Sequence, residues 1–166
     1  SVCIDEKLPE KQKQIEWDLY PGRAGLLNGF TSYAVQRAFI EDRISEEQEN
    51  AFHAQYCRRI HGIFWAAVVK HERTEWFPTS DCQIYCKEAF GTELEPKDSK
   101  EGLKILAQAG LIRRENGIVH VVHQQFVEHW AGRHAAQILR EYYGTERFAD
   151  RLWEHLEEKR LDPITG

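Results

Sequence analysis

The fold is decided by residues 111–122, which read LIRRENGIVHVV. Leu111–Arg114 and Ile118–Val122 are short runs of β-prone residues, and the pair Asn116-Gly117 stands between them. Asn-Gly is the pair that type I′ turns prefer, because both central positions of such a turn need a positive φ. The stretch therefore predicts one small β-hairpin at about residues 111–122.

Apolar residues recur at helical spacing on both sides of this hairpin. The predicted helices cover about residues 23–42, 45–71, 80–90, 99–110, 123–143 and 146–160. A short extended piece at Thr74–Phe77, stopped by Pro78, separates the second helix from the third. The order helix, short strand, helix, helix, hairpin, helix is that of a winged-helix domain. We therefore predict a mainly α fold, in which a helical segment is followed by a winged-helix domain with one small β-hairpin.

Three parts are expected along the chain. Residues 1–44 would form a linker and a leading helix, residues 45–143 the winged-helix domain, and residues 144–166 a trailing helix that leads into a further region. The chain contains no methionine, and Leu161–Gly166 reads as the start of another element. We therefore expect that the working protein is larger than this chain.

Short motifs predict where the helices begin and break. Ser45–Gln48 has the form of a capping box, in which the first and last side chains each bond to the other's backbone N–H. The long helix that follows is expected to break near His61-Gly62. Asp98 or Ser99 is expected to cap the helix that precedes the hairpin.

The composition fits a compact domain with a helical appendage. Of the 166 residues, 42% are hydrophobic, which is enough to bury a core without metal or disulfide staples. No apolar run approaches the roughly 20 residues that cross a bilayer. Residues 1–14 are polar and lack the apolar segment of a secretory signal. We therefore expect a soluble, cytoplasmic protein that has no membrane partner.

The cysteines indicate a reducing environment. Cys82 and Cys86 lie four residues apart in a predicted helix, where Cβ atoms are about 5–6 Å apart, whereas a disulfide needs about 3.8 Å. We expect both to be unbonded residues on the core face of their helix.

The sequence contains no recognisable catalytic or metal-binding motif. Structural zinc needs four ligands, but Cys82-x3-Cys86 and His120-x2-His123 are isolated pairs. There is no G-x-x-x-x-G-K-[ST] phosphate loop. We therefore expect no metal site, no cofactor held by this chain, and no catalysis by the chain alone. A small enzyme with an unrecognised site is the last of the alternatives.

A winged helix also raises the possibility of nucleic-acid binding, with the helix before the hairpin as the recognition helix. The candidate phosphate contacts are Lys100, Lys104, Arg113 and Arg114. Two acidic residues, Glu101 and Glu115, lie among them, and the net charge is -5. Because phosphate binding usually needs a basic surface, nucleic-acid binding is the alternative interpretation and not the preferred one.

Two segments flank the turn of the hairpin: residues 105–112, ILAQAGLI, and residues 122–131, VHQQFVEHWA. Both resemble the winged-helix region of NACHT proteins, which are signal-transduction ATPases of the STAND class. The family pattern in the second segment has matches at His123, Phe126, Glu128 and Ala131. The chain departs from the pattern at Val127, His129 and Gly132. Residues 19–27 and 161–166 also resemble the stretches that flank this region in bacterial members.

The resemblance implies a regulatory function. In the family, the winged helix folds over the nucleotide site of an upstream ATPase core, and a histidine contacts the ADP β-phosphate in the closed, inactive state. His123 is the matching residue. The implied partners are the ATPase core and a downstream repeat or sensor region of the same protein, and the implied cofactor is ADP or ATP with Mg in that core. The alternative is that His123 is only a junction residue between the hairpin and the helix.

Overall fold

The computed structural model describes residues 22–92, 94–142 and 154 of the chain. Helices predominate, and one small antiparallel sheet of three strands accompanies them. The helices are α1 (Gly22–Ile40), α2 (Glu46–Ala51), a π-helix (Phe52–Tyr56), α3 (Cys57–His71), a 3-10 turn (Thr79–Asp81), α4 (Cys82–Phe90), α5 (Pro96–Gln108) and α6 (Gln124–Tyr142). The strands are β1 (Trp76–Pro78), β2 (Ile112–Glu115) and β3 (Ile118–Val121). From α3 onward the elements follow the predicted order, and the predicted mainly α fold with a small β-hairpin is confirmed.

The hairpin forms where the Asn-Gly pair predicts it. Strands β2 and β3 pair antiparallel, with Ile112 opposite Val121 and Glu115 opposite Ile118. Asn116 has a φ of 50° and Gly117 a φ of 73°. Both central residues of the turn therefore take the positive φ that a type I′ turn requires.

Strand β1 completes the sheet on the other side of β3, so the strand order is β1-β3-β2. Phe77 lies opposite Val119, and both side chains are buried. Pro78, expected to follow the extended piece, belongs to the strand itself. An edge strand accepts proline because the missing N–H can fall on the unpaired side.

The core is built around α3, which packs against α4, α5 and α6. The ring of Phe64 on α3 lies 4.8 Å from Trp130 on α6 and 5.4 Å from Phe77 on β1. Phe77 in turn lies 5.5 Å from Tyr85 on α4. The indole N–H of Trp130 donates to Thr31 Oγ1 at 3.3 Å, which attaches α1 to the same cluster. The aromatic residues thus join four helices and the sheet in one core.

The start of α2 agrees with the sequence. Gln48 N–H donates to Ser45 Oγ at 3.1 Å, and Ser45 N–H donates to Gln48 Oε1 at 2.8 Å. These two bonds form the predicted capping box.

The expected break near His61-Gly62 is wrong, because α3 runs through both residues. The irregularity lies earlier, in the π-helix at Phe52–Tyr56. Gly62 has a packing role, since a Cβ there would lie 2.5 Å from Phe90 Cε2. The glycine allows α3 and α4 to approach each other.

The expected cap of α5 is also wrong. The helix begins at Pro96, and a proline in the first helical turn costs no hydrogen bond. Ser99 is buried, and its hydroxyl lies 3.2 Å from Cys86 Sγ. Asp98 instead pairs with Arg59 at 2.9 Å. Both side chains therefore make tertiary contacts and do not cap the helix.

Among the helices described, none combines the length and apolar character needed to cross a bilayer. Residues 1–21 of the expected linker and nearly all of the expected trailing helix, residues 144–166, lie outside the described residues. The division into three parts at residues 44 and 143 remains a prediction.

Candidate functional site

His123 stands between β3 and α6, directly before the first residue of the helix. His123 is exposed, and the centre of its ring lies 6.4 Å from the centre of the Phe126 ring. Phe126 N–H donates to the His123 carbonyl at 3.1 Å. The first N–H groups of a helix have no partner within the helix and carry partial positive charge. The imidazole therefore lies beside a position that favours an anion.

The outer face of the sheet carries a row of three side chains, one from each strand. Trp76 lies opposite His120, and His120 lies opposite Arg113. The Arg73 guanidinium lies 4.5 Å from the centre of the Trp76 ring, a cation–π contact, although Trp76 remains 40% exposed. We call Arg73, Trp76, Arg113 and His120 the sheet-face cluster.

A shallow cavity of about 330 Å³ adjoins the sheet-face cluster. Its lining includes Val122 and Gln124, the two chain neighbours of His123. The cluster and the start of α6 therefore belong to one side of the molecule. The sequence did not reveal this cluster, because Trp76, His120 and Arg113 come from separate strands and only the register aligns them.

The predicted lysines lie on the exposed face of α5. Lys97, Lys100 and Lys104 are all exposed and follow one another at spacings of three and four, so they share one side of the helix. Lys97 was missed because the helix was expected to begin at residue 99. Glu101 interrupts this basic face and is partly exposed. We call the three lysines the α5 lysine row.

The two arginines of the hairpin point to opposite faces of the sheet, because side chains alternate along a strand. Arg113 shares the outer face with His120, and Arg114 shares the other face with Val119. Arg113 Nε lies 3.6 Å from Glu115 Oε2. The four predicted phosphate contacts therefore do not share one surface. Lys100 and Lys104 lie together on α5, whereas Arg113 and Arg114 lie on opposite faces of the sheet.

The cysteines of α4 lie in the core. Cys82 and Cys86 are buried and unbonded, which confirms the prediction of free thiols on the core face. Burial raises the pKa of Cys82 to about 12 and also raises the pKa of Cys86. Within the part of the chain that the structure describes, no group of three or more potential ligands is placed to hold a metal ion.

Comparison of the chain with models of known protein families, with characterised proteins and with solved structures finds no match.

Proposed function

We propose that this chain is the regulatory winged-helix module of a NACHT-family STAND ATPase. In this proposal the module closes over the nucleotide site of an upstream ATPase core and stabilises its ADP-bound, inactive state. The core supplies the phosphate loop and holds ADP or ATP with Mg, and a downstream repeat or sensor region acts on the module. His123 donates a hydrogen bond to the bound diphosphate across the interface.

The observation that carries the proposal is the position of His123. It is exposed at the N-terminal end of α6, where the helix end favours an anion. His123 does not belong to the core, whereas Phe126 and Trp130 of the same segment are buried in it. A junction residue would lie at the same place, so the two interpretations differ only in whether the imidazole contacts a diphosphate.

The size of the effect follows from general energetics. A hydrogen bond to a charged group contributes about 1.5–3 kcal/mol, which corresponds to about a ten- to hundredfold change in a two-state equilibrium. The bond acts as a switch because only the closed state brings the winged helix to the nucleotide.

The test uses the full-length protein with its ATPase core. We expect His123→Ala to increase the rate of ADP release about ten- to hundredfold and to raise basal signalling, because the closed state loses a diphosphate contact. The same substitution should leave the melting temperature of the isolated chain nearly unchanged, because the residue is exposed. The measurement is release of a fluorescent ADP analogue.

Gln125→Ala is the matched control, since Gln125 is exposed in the first turn of the same helix. An unchanged rate of ADP release in His123→Ala would refute the proposal. So would equal acceleration in both variants, because the effect would then belong to the helix end and not to the imidazole.

A second candidate function, nucleic-acid binding, is favoured by the α5 lysine row. In a winged helix the helix before the hairpin can lie in the major groove, and here that helix exposes Lys97, Lys100 and Lys104. Arg114 could add a phosphate contact from the hairpin. Against it stand Glu101 on the same helix face and the net charge of -5.

Salt dependence separates the two functions. Binding through about four phosphate contacts gives a slope near −3.6 for log K against log salt. The double substitution Lys100→Gln/Lys104→Gln should reduce that slope by about 2, because each lost contact removes about 0.9. Fluorescence anisotropy with a labelled duplex measures it. Absence of salt-dependent binding to duplex DNA would exclude this second function.

A further inference from the structure

A second cavity, of about 500 Å³, lies between α3 and α6 on another part of the molecule. Its lining includes Cys57 and His61 from α3, Arg133 and His134 from α6, and Phe90 from the end of α4. A volume of this size is typical of sites for small organic ligands. We call it the interhelical cleft.

The π-helix before α3 contributes to this cleft. Its residue His53 lines the cleft together with Cys57 and His61 on α3. A π-helical turn inserts an extra residue and so shifts the side chains that precede it around the helix axis. Such turns are rare overall, and those that occur often lie at functional sites.

Two arginines, Arg58 and Arg133, line the cleft together with His61. The pKa of His61 is lowered to about 3, first by burial and then by the charges of Arg133, His129, His134 and Arg58. His61 is therefore neutral at pH 7. Arg133 and Arg58 are charged at that pH, and the positive charge that disfavours protonation of His61 would favour an anion at the same place. His129 adds no charge there, because its own pKa is lowered to about 4, first by burial and then by the charge of Arg133.

The thiol and imidazole in the cleft are not arranged for nucleophilic catalysis. Cys57 Sγ lies 3.4 Å from His61 Nε2. Burial raises the pKa of Cys57 to about 11, so the sulfur remains a thiol at neutral pH. A reactive cysteine needs a lowered pKa. The pair therefore supplies hydrogen-bonding groups to a ligand and not a nucleophile.

The cleft lining includes three acidic side chains, Glu88, Glu141 and Glu154, and each of them has an interaction partner. Glu88 lies 2.9 Å from His71 Nε2, and Glu141 lies 3.5 Å from Arg58 Nη2. The Arg58–Glu141 pair is largely exposed to solvent, so it contributes little and can be replaced. Trp65 and Ile138 add apolar surface to the lining.

We propose that the interhelical cleft binds a small organic anion, whose phosphate or carboxylate group is held by Arg133, Arg58 and His61 and whose apolar part contacts Trp65 and Phe90. The site is separate from His123 and does not depend on the function proposed above.

The test uses the isolated chain and three probes of similar size: phenyl phosphate, benzoate and neutral benzyl alcohol. Histidine side-chain NMR spectra follow binding, and the His61 resonance is assigned with His61→Asn. We expect phenyl phosphate, benzoate or both to shift the His61 and His134 resonances saturably, and benzyl alcohol to bind at least tenfold more weakly. The difference between the first two probes identifies the anionic group preferred.

Arg133→Gln should weaken binding of the anionic probe at least about tenfold, because a hydrogen bond to a charged group is lost. Arg113→Gln removes the same charge from the sheet-face cluster and should leave the affinity unchanged. If Arg133→Gln lowers the melting temperature strongly, Arg58→Gln decides the question, because the Arg58 side chain is 65% exposed. Absence of any shift at His61, equal binding of benzyl alcohol, or equal weakening by Arg113→Gln would overturn the proposal.

Discussion

The packing of α3 on α4 at Gly62 leads to a quantitative prediction for Gly62→Ala. A Cβ at this position would lie 2.5 Å from Phe90 Cε2, 2.6 Å from Phe90 Cζ and 3.0 Å from Ala89 Cβ. Carbon atoms attract one another best at about 3.5–4.0 Å. The ring of Phe90 would therefore have to move, and it would lose its edge contact with His134, whose ring centre is 5.2 Å away.

The expected magnitude combines two opposing effects. Overpacking of a filled site costs about 1–3 kcal/mol. Replacing glycine by alanine inside a helix returns at most about 1 kcal/mol. We therefore expect Gly62→Ala to lower the free energy of unfolding by about 1–2 kcal/mol, which is about 2–8 °C in melting temperature for a domain of this size. Urea unfolding followed by circular dichroism measures both the midpoint and the slope.

Gly132 provides a matched control, because it is also a helical glycine but a Cβ there would meet nothing within 4 Å. Gly132→Ala should raise the free energy of unfolding by about 0.5–1 kcal/mol. In a Phe90→Ala background the cost of Gly62→Ala should fall by at least half, since the closest contact is gone. The reasoning is refuted if Gly62→Ala stabilises the chain, or if its cost is the same with and without the Phe90 ring.

Two further predictions concern buried titratable groups. The folded pKa of His61, about 3, lies below its ordinary value of 6.5, so the unfolded chain binds this proton more readily. The free energy of unfolding should therefore be highest above pH 6.5 and decrease as the pH falls towards 3, with His61 contributing up to about 1.4 kcal/mol per pH unit. His61→Asn should flatten this dependence in melting curves measured at several pH values between about 4 and 7. An unchanged profile would show that His61 is not responsible. Cys82 and Cys86 are buried and have raised pKa values, so a thiol reagent should label them at least about a hundredfold more slowly in the native state than in denaturant. Fast labelling in both states would contradict the burial of the α4 face.

The features that sequence analysis predicted well depend on residues close together in the chain. Asn116-Gly117 determines the hairpin because the turn needs positive φ at both positions. Ser45 and Gln48 form a capping box because each side chain reaches a backbone N–H three residues away. The helical periodicity likewise identified α3 and α6, whose apolar residues recur on one face.

The predictions from the sequence were wrong where a residue contacts a partner that is distant in the chain. Gly62 suggested a break, but it is a glycine because Phe90 packs against it. Ser99 suggested a helix cap, but it is buried against Cys86. The start of α5 was consequently placed too late, and Lys97 was left out of the lysine row. In each case the local preference was real and a tertiary contact outweighed it.

By itself, the sequence determined the hairpin, the capped start of α2 and the location of His123 where the hairpin meets α6, because turns and caps depend on dihedral angles and hydrogen bonds within a few residues. Only the tertiary structure aligned Trp76, His120 and Arg113 across the three strands, since the register depends on which faces are buried. The interhelical cleft likewise required the packing of α3 on α6, which buries His61 and brings Arg133 close to it, and both effects lower the pKa of His61. Electrostatic effects depend on distance in space, and that distance exists only once the chain has folded.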